Sequence, residues 1–224
     1  MSALSAQLLD PILTRMPAHT ARRMMAFARA ELSSMLDLHE AAALCGNAER
    51  AAMYIRHALD EARHARMFSQ RSAEIRKQLA QPPPSPLFAD TDNLFEKLGE
   101  IGFLAFVHRG EKRAHRQFLV HIRQYKRNGD EKTAALLQSV LADEKRHESY
   151  TKTLLIELCG SEAKAKAALR KAAAWEAWQL WRRAGRSISG ILYTLLMSLL
   201  YLALFPFSLL ALLFRKPRKG FQPR

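Results

Sequence analysis

Apolar residues recur at helical spacing in four long stretches, separated by two tight turns and one proline-rich break. The first stretch, about 18–45, aligns Met24, Phe27, Ala28, Met35, Leu38 and Ala42 on one face, and Gly46-Asn47 reads as a helix stop followed by the next N-cap. The second, about 48–79, aligns Tyr54, Ala58, Ala65 and Phe68, and stops before Gln81-Pro82-Pro83-Pro84-Ser85-Pro86, which cannot be helical. Twelve residues from Gln81 to Asp92 reach at most about 40 Å when extended, enough to return along a bundle of helices this long. The third stretch, about 93–127, carries Leu104, Val107, Phe118 and Ile122, and ends at the turn Arg127-Asn128-Gly129-Asp130. The fourth, about 131–158, carries Leu137, Val140, Leu141 and Leu154. The pattern predicts an all-α fold with a four-helix bundle over 18–160, preceded by a short N-terminal helix over 1–17 that Pro11 and Pro17 bound.

Polar residues inside those apolar stripes point to chemistry. Glu31, Glu61, Glu111 and Glu144 all fall among core positions, where a carboxylate is costly unless it is paired or bound to a metal. Two of them belong to a repeated motif, since 60–64 and 143–147 both read D-E-x-R-H. Residues three apart share a helix face, so Glu61 points with His64 and Glu144 with His147. One Glu-x-x-His is a weak signal, but two with the same flanking Asp and Arg are hard to assign to chance. If the first two helices form a hairpin about Gly46, the residue level with Glu61, fifteen after the turn, is Glu31, fifteen before it. About Gly129, Glu144 lies fifteen residues after and Glu111 eighteen before, level to within one turn. The six residues Glu31, Glu61, His64, Glu111, Glu144 and His147 thus match two lone Glu and two Glu-x-x-His facing a bundle core. A salt-bridged Glu31 is the bland alternative, and Glu40 the competing ligand, though at the wrong height. His57 adjoins the Glu61 face, and His108 and His115 bracket Glu111. Each is either an added ligand or a packed, partly exposed residue. Thr151, one turn past His147, is a candidate catalytic hydroxyl for orienting dioxygen at the centre, against the reading as a satisfied core threonine.

Over about 20–158 the chain resembles the ferritin-like diiron-carboxylate superfamily, and its D-E-x-R-H form is similar to the oxygen-activating branch of monooxygenases and acyl desaturases. The resemblance implies a ferritin-like bundle smaller than those enzymes. It also implies that Asp60, Arg63, Asp143 and Arg146 support the cofactor, with Asp60 near His147 and Asp143 near His64. Such partners fix the tautomer and orientation of ligand imidazoles. Four carboxylates and two imidazoles suit iron or manganese rather than structural zinc. The cofactor implied is two iron ions, with dioxygen as co-substrate and an external electron donor, a reductase or ferredoxin.

Charge and the C-terminal third decide the setting. A net charge of +14 calls for an anionic partner, nucleic acid or a membrane surface. After Cys159-Gly160, Ser161 caps an amphipathic helix expected over Glu162–Ala184, within a segment 161–186. It carries all three tryptophans, Trp175, Trp178 and Trp181, followed by Arg182, Arg183 and Arg186, the composition of a membrane interface. Residues 187–214 then contain no charge and are rich in Leu, and a basic tail, 215–224, follows. Ser187–Phe205 alone covers about 28 Å as helix, so 187–214 is expected to insert in a membrane, interrupted at Pro206. A re-entrant path near Pro206 would keep both basic clusters, and the bundle, on the cytoplasmic face. The partners expected are anionic lipids and a lipid-phase substrate, with no nucleic acid. A homodimer is left open. Two cysteines, Cys45 and Cys159, exclude a disulfide framework, a thiolate metal site and a rubredoxin-like Cys-x-x-Cys. Met1–Pro17 lacks the basic and apolar regions of a secretory signal. The expected function is a membrane-anchored diiron oxygenase that hydroxylates or desaturates an acyl lipid, quinone or polyisoprenoid. The alternatives are a membrane-bound ferroxidase or rubrerythrin-like peroxidase, and a sensing or assembly subunit.

Overall fold

The computed structural model describes residues 13–89 and 91–213. The expected N-terminal helix up to residue 12, and the basic tail over 215–224, lie outside the described residues. The described residues hold five helices and no strand: α1 (Pro17–Leu44), α2 (Ala48–Gln78), α3 (Leu94–Arg127), α4 (Glu131–Cys159) and α5 (Glu162–Leu213).

The helix starts follow from local chemistry. Pro17 opens α1, where its missing N–H costs nothing. The Asn47 side chain accepts from the Arg50 N–H at 2.9 Å, and Asp130 from the Thr133 N–H at 3.0 Å, each satisfying an orphan donor. Gly160 ends α4 in the left-handed region at φ 71°, which a side chain would resist. The α3 start departs from the expected straight helix. Gly99 sits at φ 67°, ψ 169°, so the first turn of α3 is set off by a kink. Just beyond it, Glu100 accepts from Arg50 at 2.7 and 3.0 Å, from the Tyr54 hydroxyl at 3.0 Å and from the Cys45 thiol at 3.3 Å. That cluster fastens the bent end of α3 to the α1–α2 turn.

The short turns make α1–α2 and α3–α4 the close pairs, while α1 packs on α3 and α2 on α4 across the bundle. Met24, Ala28, Phe68, Phe118, Ile122, Tyr125 and Leu137 form the core toward one end, with Phe27 set 5.4 Å from Phe68 and 5.3 Å from Phe118 between ring centroids. Toward the other end of α2, Tyr54 and Phe103 meet edge-on at 5.8 Å. The carboxylates of the first D-E-x-R-H run, Asp60 and Glu61, lie on α2 between these aromatic groups, in the middle of the helix. The 79–93 crossover docks on α1 through Thr91, whose hydroxyl lies 2.7 Å from Asp37 and 2.9 Å from Glu40. Glu40, the competing ligand candidate, is used there.

Residues through Ala173 form one compact unit, and Ala174 onward a second. In the second unit, the amphipathic helix expected to end at Ala184 and the apolar segment are one helix, which continues past Gly185 and Pro206 to Leu213. Pro206 forfeits one backbone bond and Gly185 some conformational entropy, but neither stops a helix whose neighbours all favour it. Ser189, Thr194 and Ser198 turn their hydroxyls back onto the carbonyls of Arg186, Gly190 and Thr194 at 2.8–2.9 Å, so even these polar groups are satisfied within the helix. This is one helix long and apolar enough to cross a membrane, and none of its most apolar window is buried within the protein. Trp178 and Trp181 are exposed.

Candidate metal centre

Each half of the bundle core brings one carboxylate-bearing helix to a D-E-x-R-H helix. Glu31 comes from α1, Glu61 and His64 from α2, Glu111 from α3, and Glu144 and His147 from α4. The inner atoms form two ligand groups, Glu31, Glu61, His64 and Glu144, and His57, Glu61, Glu111 and His147, with all donor atoms of a group within 4.8 Å of one another. Glu61 belongs to both, so it is placed to bridge. His64 Nδ1 lies 3.5 Å from Glu144 Oε1, and His147 Nδ1 lies 3.5 Å from Glu61 Oε1 and 3.7 Å from Glu111 Oε2. All six sequence-selected residues converge. His57, which periodicity placed only beside the Glu61 face, joins the second group.

The outer faces of the histidines are held across the bundle. His64 Nε2 donates to Asp143 Oδ2 at 3.1 Å and His147 Nε2 to Asp60 Oδ2 at 3.2 Å, so each half supplies the carboxylate that the other half's imidazole needs. Arg63 reaches Asp60 at 2.7 Å and Asp143 at 2.6 Å, and Arg146 reaches Asp143 at 2.5 Å and Asp60 at 3.1 Å. The two Arg and two Asp thus form a ring of alternating charge over the α2–α4 seam. With Nε2 protonated toward Asp, each Nδ1 is left as a lone pair aimed inward.

Those inward atoms carry the case for a metal. His64 Nδ1, His147 Nδ1, Glu61 Oε2 and Glu144 Oε1 are buried without a hydrogen-bond partner. Buried polar atoms are normally satisfied, and four orphans on the residues of two adjoining ligand groups are what cations would satisfy. The carboxylates show the same strain. Burial pushes Glu31 well up, with the neighbouring Glu61 and Glu111 adding to it, and pushes Glu61 up to about 8. Glu144 is raised by burial and by the charges of Glu111, Glu31 and Glu61. Glu111 alone is held below the usual range, because its closeness to His57 and His147 outweighs its burial. Four carboxylates therefore share one buried space that, in a metal-free chain, admits few negative charges. Two divalent cations would neutralise all four, so this donor set fits such ions.

Two cavities approach the centre. One, of about 340 Å³, is lined by Phe27, Ala30, Phe103, Val107, Gly110 and Phe118 together with Ser33, Ser34, Asp37, Arg113 and Gln117, and meets all four carboxylates. Glu31 is partly exposed because this cavity, on the α1–α3 side, opens onto it. The other, of about 300 Å³ between α2 and α4, is lined by Met53, Arg56, Asp60, Arg146 and Tyr150 and meets the His57 and His147 rings.

The remaining sequence candidates fall elsewhere. The Thr151 hydroxyl donates to the His147 carbonyl at 2.6 Å and contacts His108 Nδ1 at 3.1 Å, lining neither cavity. The structure gives it the part of a satisfied core residue, not a group that faces the carboxylates. His115 pairs with Glu148 at 2.9 Å, and neither it nor His108 enters a ligand group. Compared with known protein families, curated proteins and solved structures, the chain shows no match, so the centre stands on its own residues.

Proposed function

We propose that this chain is a membrane-anchored, ferritin-like diiron oxygenase that hydroxylates or desaturates a lipid-phase substrate. The observation that carries the reading is the pair of ligand groups sharing Glu61, with four buried inner atoms left orphaned. Glu31, Glu61, His64, Glu111, Glu144 and His147 would hold two iron ions, and the iron would supply two-electron reduction of dioxygen. The chain's own residues prepare that chemistry. Asp60 and Asp143 fix the imidazoles, the aromatic clusters on either side of the centre exclude water, and the α1–α3 cavity receives the substrate against the carboxylate face. Its Phe, Val and Ala side chains suit an apolar chain, and Ser33, Ser34, Asp37, Arg113 and Gln117 in the same lining supply partners for a polar head group. The crossed Asp–His pairs favour an oxygenase over a ferroxidase or peroxide-handling protein, because they lock the ligand geometry from outside. The apolar run of α5 supports a membrane location for a protein whose substrate dissolves in lipid, with anionic headgroups attracting its basic surface. Electrons come from a separate donor protein, and the bundle faces the cytoplasm.

The test compares whole-cell lipid extracts from cells carrying the full chain, the Glu61→Ala variant, and a chain ending before Ser187. The full chain should oxidise one lipid class, Glu61→Ala should not, and the shortened chain should keep its iron but lose most of the conversion, since tethering raises effective concentration. Rapid ferrous oxidation with unchanged lipids would favour the ferroxidase. Full conversion by the shortened, soluble chain would leave the anchor as an address only.

A further inference from the structure

We infer that His57 is a seventh metal ligand, held in place by the Tyr150 hydroxyl, so that the two metals of the centre are chemically unequal. The inference rests on the dimetal reading above and deepens it. His57 Nε2 lies 2.9 Å from Glu61 Oε1 and 3.4 Å from Glu111 Oε1, both in its own ligand group. Its side chain has no exposure to solvent. Its other nitrogen, Nδ1, lies 2.7 Å from the Tyr150 hydroxyl. In the metal-free chain Nε2 hydrogen-bonds to Glu61 Oε1; with the Nδ1 proton donated to the Tyr150 oxygen, a metal would take the place of the Nε2 proton and receive its lone pair.

The two motif histidines are held from outside in the same way with the nitrogens exchanged, although their inner nitrogens lack the hydrogen bond that His57 Nε2 makes to Glu61. In His64 and His147, Nε2 is held from outside and Nδ1 points inward. In His57, Nδ1 is held from outside and Nε2 points inward. The His57 ring lies 3.7 Å from the His147 ring between centroids, tilted by 35°, so the two imidazoles approach the same point side by side. No corresponding histidine serves the other ligand group, which has His64 as its one imidazole.

The consequence is a nitrogen-rich metal position with two imidazoles, and a carboxylate-rich one with a single imidazole. His57 and His147 border the cavity between α2 and α4, and neither borders the α1–α3 cavity. The nitrogen-rich position is therefore closed by ligands on its own side, and a small external ligand reaches the pair from the carboxylate face. Imidazole favours the later divalent metals, so the two positions should differ in affinity as well as in spectrum.

The experiment titrates full-length, metal-free protein in detergent with Co(II) under argon, followed by visible absorption and native mass spectrometry. Wild-type protein should bind two Co(II) in two spectroscopically distinct steps. His57→Gln should weaken one step at least about 10-fold and leave the other unchanged. Tyr150→Phe should weaken that same step by a smaller factor, and His64→Gln should weaken the opposite step. Circular dichroism checks that each variant is folded. If His57→Gln does not fold, Tyr150→Phe decides, and unchanged binding in that variant overturns the inference. Two identical Co(II) sites in wild type, or unaltered binding in folded His57→Gln, also overturns it while leaving the dimetal reading intact. A wild-type chain that binds no Co(II) overturns both.

Discussion

Replacing Asp143 by Asn separates the support of the metal from the support of the fold. Asp143 accepts from His64 Nε2 at 3.1 Å and from Arg63 and Arg146 at 2.6 and 2.5 Å. The amide keeps the volume and one acceptor but loses the charge that holds the proton on Nε2. Stability should change little. The Arg63 and Arg146 side chains are 45% and 60% exposed and both keep Asp60, and pairs this solvated contribute less than about 1 kcal/mol. Metal binding should change much more, because His64 is buried and Asp143 is the outside partner for its Nε2. Loss of such a partner lowers metal affinity about 10–100-fold, or about 1.4–2.8 kcal/mol. The loss should fall on the group that contains His64, whereas Asp60→Asn should fall on the group that contains His147. Thermal melting of the metal-free protein and Fe(II) titration under argon read the two quantities separately. Wild-type affinity in Asp143→Asn, or a melting loss of several kcal/mol with affinity retained, would refute the assignment of this aspartate to the metal.

The other predictions bear on charge, space and backbone. Glu61 is raised in the fold, from an ordinary 4.5 to about 8, so the metal-free fold holds a proton there that the unfolded chain has released. Its contribution is fully present below pH 4.5 and is lost as pH rises through about 8, so metal-free protein should melt lower at pH 9 than at pH 6. Iron affinity should move the other way, rising with pH as protons leave the carboxylates, and calorimetry at two pH values checks both signs. A side chain at Gly110 would meet nothing within 4 Å at its Cβ, so Gly110→Phe should fit, narrow the α1–α3 cavity and cut substrate conversion while both metals still bind. Gly99→Ala places a side chain at φ 67°, ψ 169°, a region almost confined to glycine, and should cost about 1–3 kcal/mol in urea melts.

Much of the site was legible because its signals are local and repeated. The two D-E-x-R-H runs pointed to four of the residues that converge in the core, and counting from Gly46 and Gly129 pointed to Glu31 and Glu111, since a hairpin converts distance from the turn into height. The crossed Asp–His pairs came only through resemblance, because no local pattern says which helix an outward carboxylate will meet. His57 could not be settled, although it lies four residues before Glu61, because its orientation depends on Tyr150, ninety-three residues away. An H-x-x-x-E-x-x-H run is the signal that would have raised its standing. Gly99 and Pro206 misled in opposite directions. The first hid a kink inside a periodic stripe, and the second suggested a break that a strongly apolar helix absorbs. Thr151 shows the limit of spacing, which put it near His147 but could not show its hydroxyl turned back onto the helix.

The two long seams of the bundle are built like the spine and the fore-edge of a book. Along the spine, α2 and α4 are stitched by four alternating charges and two crossed imidazole bonds. Along the fore-edge, α1 and α3 touch but leave a cavity of about 340 Å³ beside the carboxylates. Glu31 and Glu111, one on each leaf, border that cavity, while His64 and His147 are held by the binding. A guest in that cavity would meet the carboxylates without touching the spine or the imidazoles it holds.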